Sequence, residues 1–105
     1  MARVVAEVTV VPLGTASPSL SAYVAAAEKV LKKFPGVKSL LTPMSTILEG
    51  DLDMVIEAVK AMHEVPFRHG ALRVSTTLRI DDRRDKPVTM AGKLAAVRKK
   101  SNLPS

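Results

Sequence analysis

Residues 3–12, RVVAEVTVVP, alternate between two faces: Val4, Ala6, Val8 and Val10 on one, Arg3, Val5, Glu7, Thr9 and Val11 on the other. A period of two with one wholly apolar and one mixed face predicts a β-strand. Two prolines and a glycine in PLGTASPS break the pattern. From Ser19 to Phe34 the period changes, with Leu20, Val24, Ala27, Leu31 and Phe34 recurring at steps of four and three. A helix is predicted there, capped by Ser17 or Ser19, with Lys32 and Lys33 at the negative end of its dipole and Pro35–Gly36 as its stop. Val37–Leu41 and Met44–Glu49 read as short strands hinged at Thr42 and Pro43, with Met44, Thr46 and Leu48 inward in the second. Asp51 is placed to cap a second helix along Leu52, Val55, Ile56, Val59 and Met62. That helix ends by Gly70 and is interrupted near Val65 by Pro66, whose ring removes a hydrogen bond. Leu72–Ile80 alternates again, with Leu72, Val74, Thr76, Leu78 and Ile80 inward. After Pro87 a short helix capped by Thr89 closes the chain.

The order is β-α-β-β-α-β with an added C-terminal helix, an α+β, ferredoxin-like sandwich in which both long helices cover one face of a single sheet. The 105 residues, 47% of them hydrophobic, suffice for one domain spanning 1–105. The opposite sheet face carries Val5, Thr9, Val11 and Ile47 beside Glu7 and Glu49. A half-apolar face of that kind predicts a homo-oligomer.

Composition then narrows the function. Without cysteine there are neither disulfides nor thiolate metal sites, and a cytoplasmic location is expected. Glu7 and Thr9 interrupt the apolar N-terminal run, so no membrane association is expected. The net charge of +6 is scattered apart from Arg98–Lys100, and Tyr23, Phe34 and Phe67 are the only aromatics, so no nucleic-acid platform is predicted. The run DDRRD, residues 81–85, interleaves carboxylates with arginines that repel a cation. It suits edge protection or a polar subunit contact better than a metal. His63 and His69 lie six apart on a predicted helix, off the spacing that shares a metal, and His69 suits the negative end of the helix dipole. No nucleophile elbow or phosphate loop is present, and no enzyme is expected. Glu49, beside Glu7 on the mixed face, needs water, an arginine such as Arg79, or a cationic ligand to balance it.

The segments AEVTVVPLGT, SLSAYVAAAEKVL, STILEGDLDMVIEAVKAMHE and TTLRIDDRRDK together resemble the small thiamine-binding-like proteins of bacteria, archaea and fungi, over nearly the whole chain. The resemblance implies a ferredoxin-like fold, assembly into a homodimer or homotetramer, and non-catalytic binding of thiamine or its hydroxymethylpyrimidine moiety, with no cofactor. Ser45 and Thr46, followed by Glu49, match the family's polar ligand-facing strand. An aminopyrimidine joined to a cationic thiazolium calls for short hydroxyls, carboxylates and apolar walls. Glu7, Thr9, Ser45, Thr46 and Glu49 supply the polar groups here, and Leu13, Met44 and Ile47 the walls. The competing reading is an oligomeric structural or regulatory interaction domain without a small-molecule ligand.

Overall fold

The computed structural model describes residues 3–15, 20–86 and 88–101. Four strands, β1 (Arg3–Leu13), β2 (Lys38–Leu41), β3 (Thr46–Asp51) and β4 (Arg73–Asp81), form one antiparallel sheet in the order β2-β3-β1-β4. Helices α1 (Ser21–Val30) and α2 (Leu52–Arg68) follow β1 and β3, and α3 (Met90–Ser101) closes the described chain. The α+β, ferredoxin-like arrangement expected from the element order is the one observed.

Period-two alternation along β1 divides the sheet's chemistry. Val4, Ala6 and Val8 stand opposite Gly50, Leu48 and Thr46 of β3, and Val4, Val8 and Leu48 are at most 1% exposed. These side chains meet Ala27 and Val30 of α1 and Val55, Ala58, Val59 and Met62 of α2 in one core. The loop leading into β2 approaches β3 closely at Gly50, where a Cβ would lie 3.1 Å from the Gly36 carbonyl oxygen, so a larger residue there would force the loop away.

Several boundaries differ from expectation for identifiable reasons. The α-helical part of α1 gives way to a single 3-10 turn at Leu31–Lys33, and its N-cap is Leu20 without a side-chain cap. Ser17 and Ser19, expected as caps, lie outside the described residues. Asp51 occupies the N-cap of α2 with an extended backbone, but its side chain makes no capping bond. Pro66 does not stop α2, which continues to Arg68. It stands in the last turn, where a missing N–H forfeits one bond. Beyond it Ala71 N donates to Pro66 O (3.0 Å) and Gly70 N to Phe67 O (3.2 Å), with Gly70 left-handed at φ 94°. This Schellman closure satisfies the end of the helix. β3 begins at Thr46, not Met44, because Thr42 N donates to Ser45 O (2.8 Å) and the hydroxyl of Thr42 bonds the same carbonyl. The turn so formed leaves Met44 86% exposed rather than inward. Leu72 likewise precedes β4 and is 95% exposed, so its inward assignment is corrected too.

Helix α3 buries none of its residues. It is held by its start: Thr89 Oγ1 accepts from Gly92 N (2.9 Å), as the capping motif predicts, and Glu49 Oε1 accepts from Met90 N (2.9 Å). Glu49 is only 4% exposed, and Arg3 and Lys38, at 3.8 and 3.9 Å, flank it. Arg79, the partner considered for Glu49 from sequence, pairs instead with Glu7 at 3.7 Å, directly across the β1–β4 ladder. A second tie joins Lys93 of α3 to Asp81. The carboxylate at 49 thus accepts an orphan N–H of the helix and meets the positive end of its dipole. Glu49→Ala is expected to destabilise the protein by about 1–3 kcal/mol in urea unfolding and to strip the Met90 amide of its hydrogen-exchange protection.

Candidate functional site

The adjacent hydroxyls of Ser45, in the turn that precedes β3, and Thr46, the first residue of β3, reach different carboxylates. Thr46, 5% exposed, turns under α1, where its Oγ1 donates to Glu28 Oε2 at 3.0 Å. Ser45 Oγ donates to Glu7 Oε2 at 3.0 Å. Thr46 and Glu28 line a cavity of about 280 Å³ between the sheet and α1, walled by Leu20, Tyr23, Val24 and Met62, with the exposed Met44 also on its lining. Tyr23 stands edge-on to His69, ring centroids 6.2 Å apart, which braces the aromatic wall against the end of α2.

Glu28 carries the distinctive electrostatics. It is partly buried, and among the described residues it makes no ion pair, so Thr46 is the partner seen for its carboxylate. A carboxylate that is partly desolvated and left with spare acceptor positions favours a hydrogen-bond donor or a cation from outside. Sequence reading passed over both Glu28 and Tyr23. A physical signal for Glu28 was present, because it is the one acid in α1 and lies near the helix C-terminus, where the dipole disfavours negative charge.

The eight residues picked from sequence divide among three places. Thr9, Met44, Ser45 and Thr46 line the cavity under α1. Glu7 and Ile47 line a separate, larger hollow of about 560 Å³ on the opposite sheet face, roofed by Met90 and Leu94 of α3. Leu13 and Glu49 line neither: Leu13 sits at the end of β1 opposite Arg73, and Glu49 anchors α3. The larger hollow is the weaker candidate despite its volume. Its charged residues are matched, Glu7 with Arg79 and Asp81 with Lys93, so no uncompensated group awaits a polar ligand there.

The DDRRD run folds back on itself. Arg83 Nε meets Asp85 at 2.6 Å and Arg84 Nη2 meets Asp82 at 2.8 Å. The guanidinium hydrogen bonds hold both carboxyls below the usual carboxylate range. His63 Nδ1 lies 2.7 Å from Thr76 Oγ1, and His69 Nδ1 donates to Val65 O at 3.0 Å. Among the described residues no three His, Asp or Glu side chains converge as a metal site. No helix there is long and apolar enough to cross a membrane.

The profile of a family described as thiamine-binding protein matches residues 6–98. The chain is 51% identical over 98 residues to a UPF0045 protein of Methanothermobacter thermautotrophicus, covering 92% of this chain and 98% of that one. It is 46% identical over 98 residues to the UPF0045 protein YqgV of Bacillus subtilis, covering 90% and 94%. The crystal structure of the hypothetical protein MJ1052 of Methanocaldococcus jannaschii superposes with a TM-score of 0.83 at 42% identity, covering 92% of this chain and 97% of that one.

Thr46→Val, which keeps the shape of the side chain and removes its hydroxyl, is expected to cost about 1–2 kcal/mol in urea unfolding, since Glu28 then loses its donor. A stability unchanged within a few tenths of a kcal/mol would show that water replaces Thr46 at no cost.

Proposed function

The chain belongs to the thiamine-binding protein family, and we propose that it binds thiamine, or its hydroxymethylpyrimidine moiety, in the cavity beneath α1 without catalysing a reaction on it. The observation that carries this reading is the Thr46–Glu28 pair, a buried hydroxyl bonded to a carboxylate that has no ion pair among the described residues, inside an apolar, aromatic-walled cavity. An aminopyrimidine presents an N–H donor beside a ring-nitrogen acceptor in one plane. Glu28 accepts from the amino group, the Thr46 hydroxyl turns to donate to the ring nitrogen, and Tyr23 and Val24 cover the ring. About 280 Å³ lies just below the usual range of roughly 300–1,000 Å³ for ligand pockets, so the space suits one ring, and the thiazolium extends past Met44 toward solvent. Ser45 lies beside Met44 on the same lining, and its hydroxyl is held by Glu7 of the neighbouring strand.

We further propose that the protein works as a cytoplasmic homodimer or homotetramer. Supporting this, α3 buries nothing of its own, and Leu40, Leu94 and Val97 are 51%, 53% and 59% exposed. Apolar exposure of this extent beside a half-apolar hollow favours a self-complementary contact over free solvation.

Titration calorimetry with hydroxymethylpyrimidine and with thiamine tests the ligand reading. Glu28→Gln is expected to lose about 1–3 kcal/mol toward both, tenfold or more in affinity, while Glu49→Gln stays within about threefold. Absence of binding of either compound at millimolar concentration would leave the oligomeric interaction domain as the function. Light scattering at micromolar concentration is expected to give two or four chain masses, reduced by Leu40→Lys combined with Val97→Lys; a single chain mass for the unmodified protein would refute assembly.

A further inference from the structure

The outer surface of the helix layer carries a groove that ligand binding leaves unused. It follows the seam between α1 and α2 and encloses about 690 Å³. Its floor is made of Ala22, Ala25 and Ala26 with the buried Val30 and Val65, and its rim of Lys29, Lys33, Arg68 and His69. Every charged or titratable residue on the lining is therefore basic.

The basic rim is also uncompensated. Arg3, Lys38, Arg79 and Lys93 all have acidic partners, whereas Lys29, Lys33 and Arg68 make no ion pair among the described residues. Glu28, the acid of α1, is bonded to Thr46 on the sheet side of the helix. Glu57 of α2 pairs with Lys60, and Glu64 lies on a different hollow, beside His63 and Thr76. Like charges gathered on one rim repel one another and depend on water for their stability, so a partner bringing carboxylates gains from each of them.

We propose that this groove docks an acidic amphipathic helix of a partner protein. Alanines on the floor carry no atoms beyond Cβ, so a third helix can approach with its backbone close, laying small apolar residues along the seam between the two helices. Carboxylates on the two flanks of that helix then meet Lys29 and Lys33 on one side and Arg68 on the other. A nucleic acid would use the cations but leave the alanine and valine floor without an apolar partner, and the lining offers no aromatic for a base to stack on. The surface is separate from the cavity under α1, so it stands or falls independently of the ligand.

The test is fluorescence anisotropy of the full chain with a labelled synthetic helix that carries alanine and leucine on one face and glutamates on its flanks. The expected result is micromolar binding, weakened at least tenfold by K29E/K33E/R68E and at least tenfold for a scrambled peptide of the same composition. The neutral set K29Q/K33Q/R68Q serves if the charge-reversed chain fails to fold, with at least a fivefold loss expected. Equal binding of the scrambled peptide, no binding of the helix, or a short RNA that binds as tightly and is lost with the same variants would each overturn the proposal. So would a fall in the mass of the unliganded protein on charge reversal, which would assign the surface to self-association.

Discussion

Burial of one face of β1 is the constraint on which the remaining structure depends. β1 is hydrogen-bonded on both edges, to β3 and to β4, so its alternation sets the face on which every neighbouring residue falls. Val4, Ala6 and Val8 turn toward the helices, and through the ladder they carry Leu48 and Thr46 with them. A slip of one residue would bring Glu7 into that core and put the valines outside, which no pairing within the helix layer could offset.

The same alternation makes the opposite face electrostatic. Glu7 and Glu49 stand there on adjacent strands, and each is matched: Glu7 by Arg79 and Ser45, Glu49 by Arg3, Lys38 and the first amide of α3. α3 is thus held mainly by polar ties at its start, and its apolar side chains remain largely exposed. Under α1 the balance is different, since among the described residues Glu28 meets a neutral hydroxyl and no cation. Glu7 and Glu49, on the opposite face, are balanced by the protein's own cations, whereas Glu28 on the smaller cavity is paired with none among the described residues, which distinguishes that cavity chemically even though the larger one offers more space.

Legibility differed between the fold and the site. Element order, the capping of α3 by Thr89 and the composition of the core were readable because period and capping act over a few neighbouring residues. Pro66 misled because its cost depends on its distance from the helix end, which the Schellman closure at Gly70 sets. Met44 misled because the turn built on Thr42 delays the start of β3. Among the site residues, Ser45, Thr46, Thr9 and Met44 gather in one lining while Glu49 does not, although Glu49 is as polar and as near in sequence.

The sequence by itself determined the alternation, the helical stripes and the placing of acids and hydroxyls on particular strand positions, because each of these follows from backbone geometry repeated every two or every three to four residues. Only the tertiary structure decided which acid is satisfied. Met90 reaches Glu49 across 41 residues, Arg79 reaches Glu7 through strand pairing, and Glu28 meets Thr46 because α1 crosses the sheet there. Such pairings depend on distances closed by packing, and one-dimensional spacing carries no information about which of several equivalent charges the folded chain brings together.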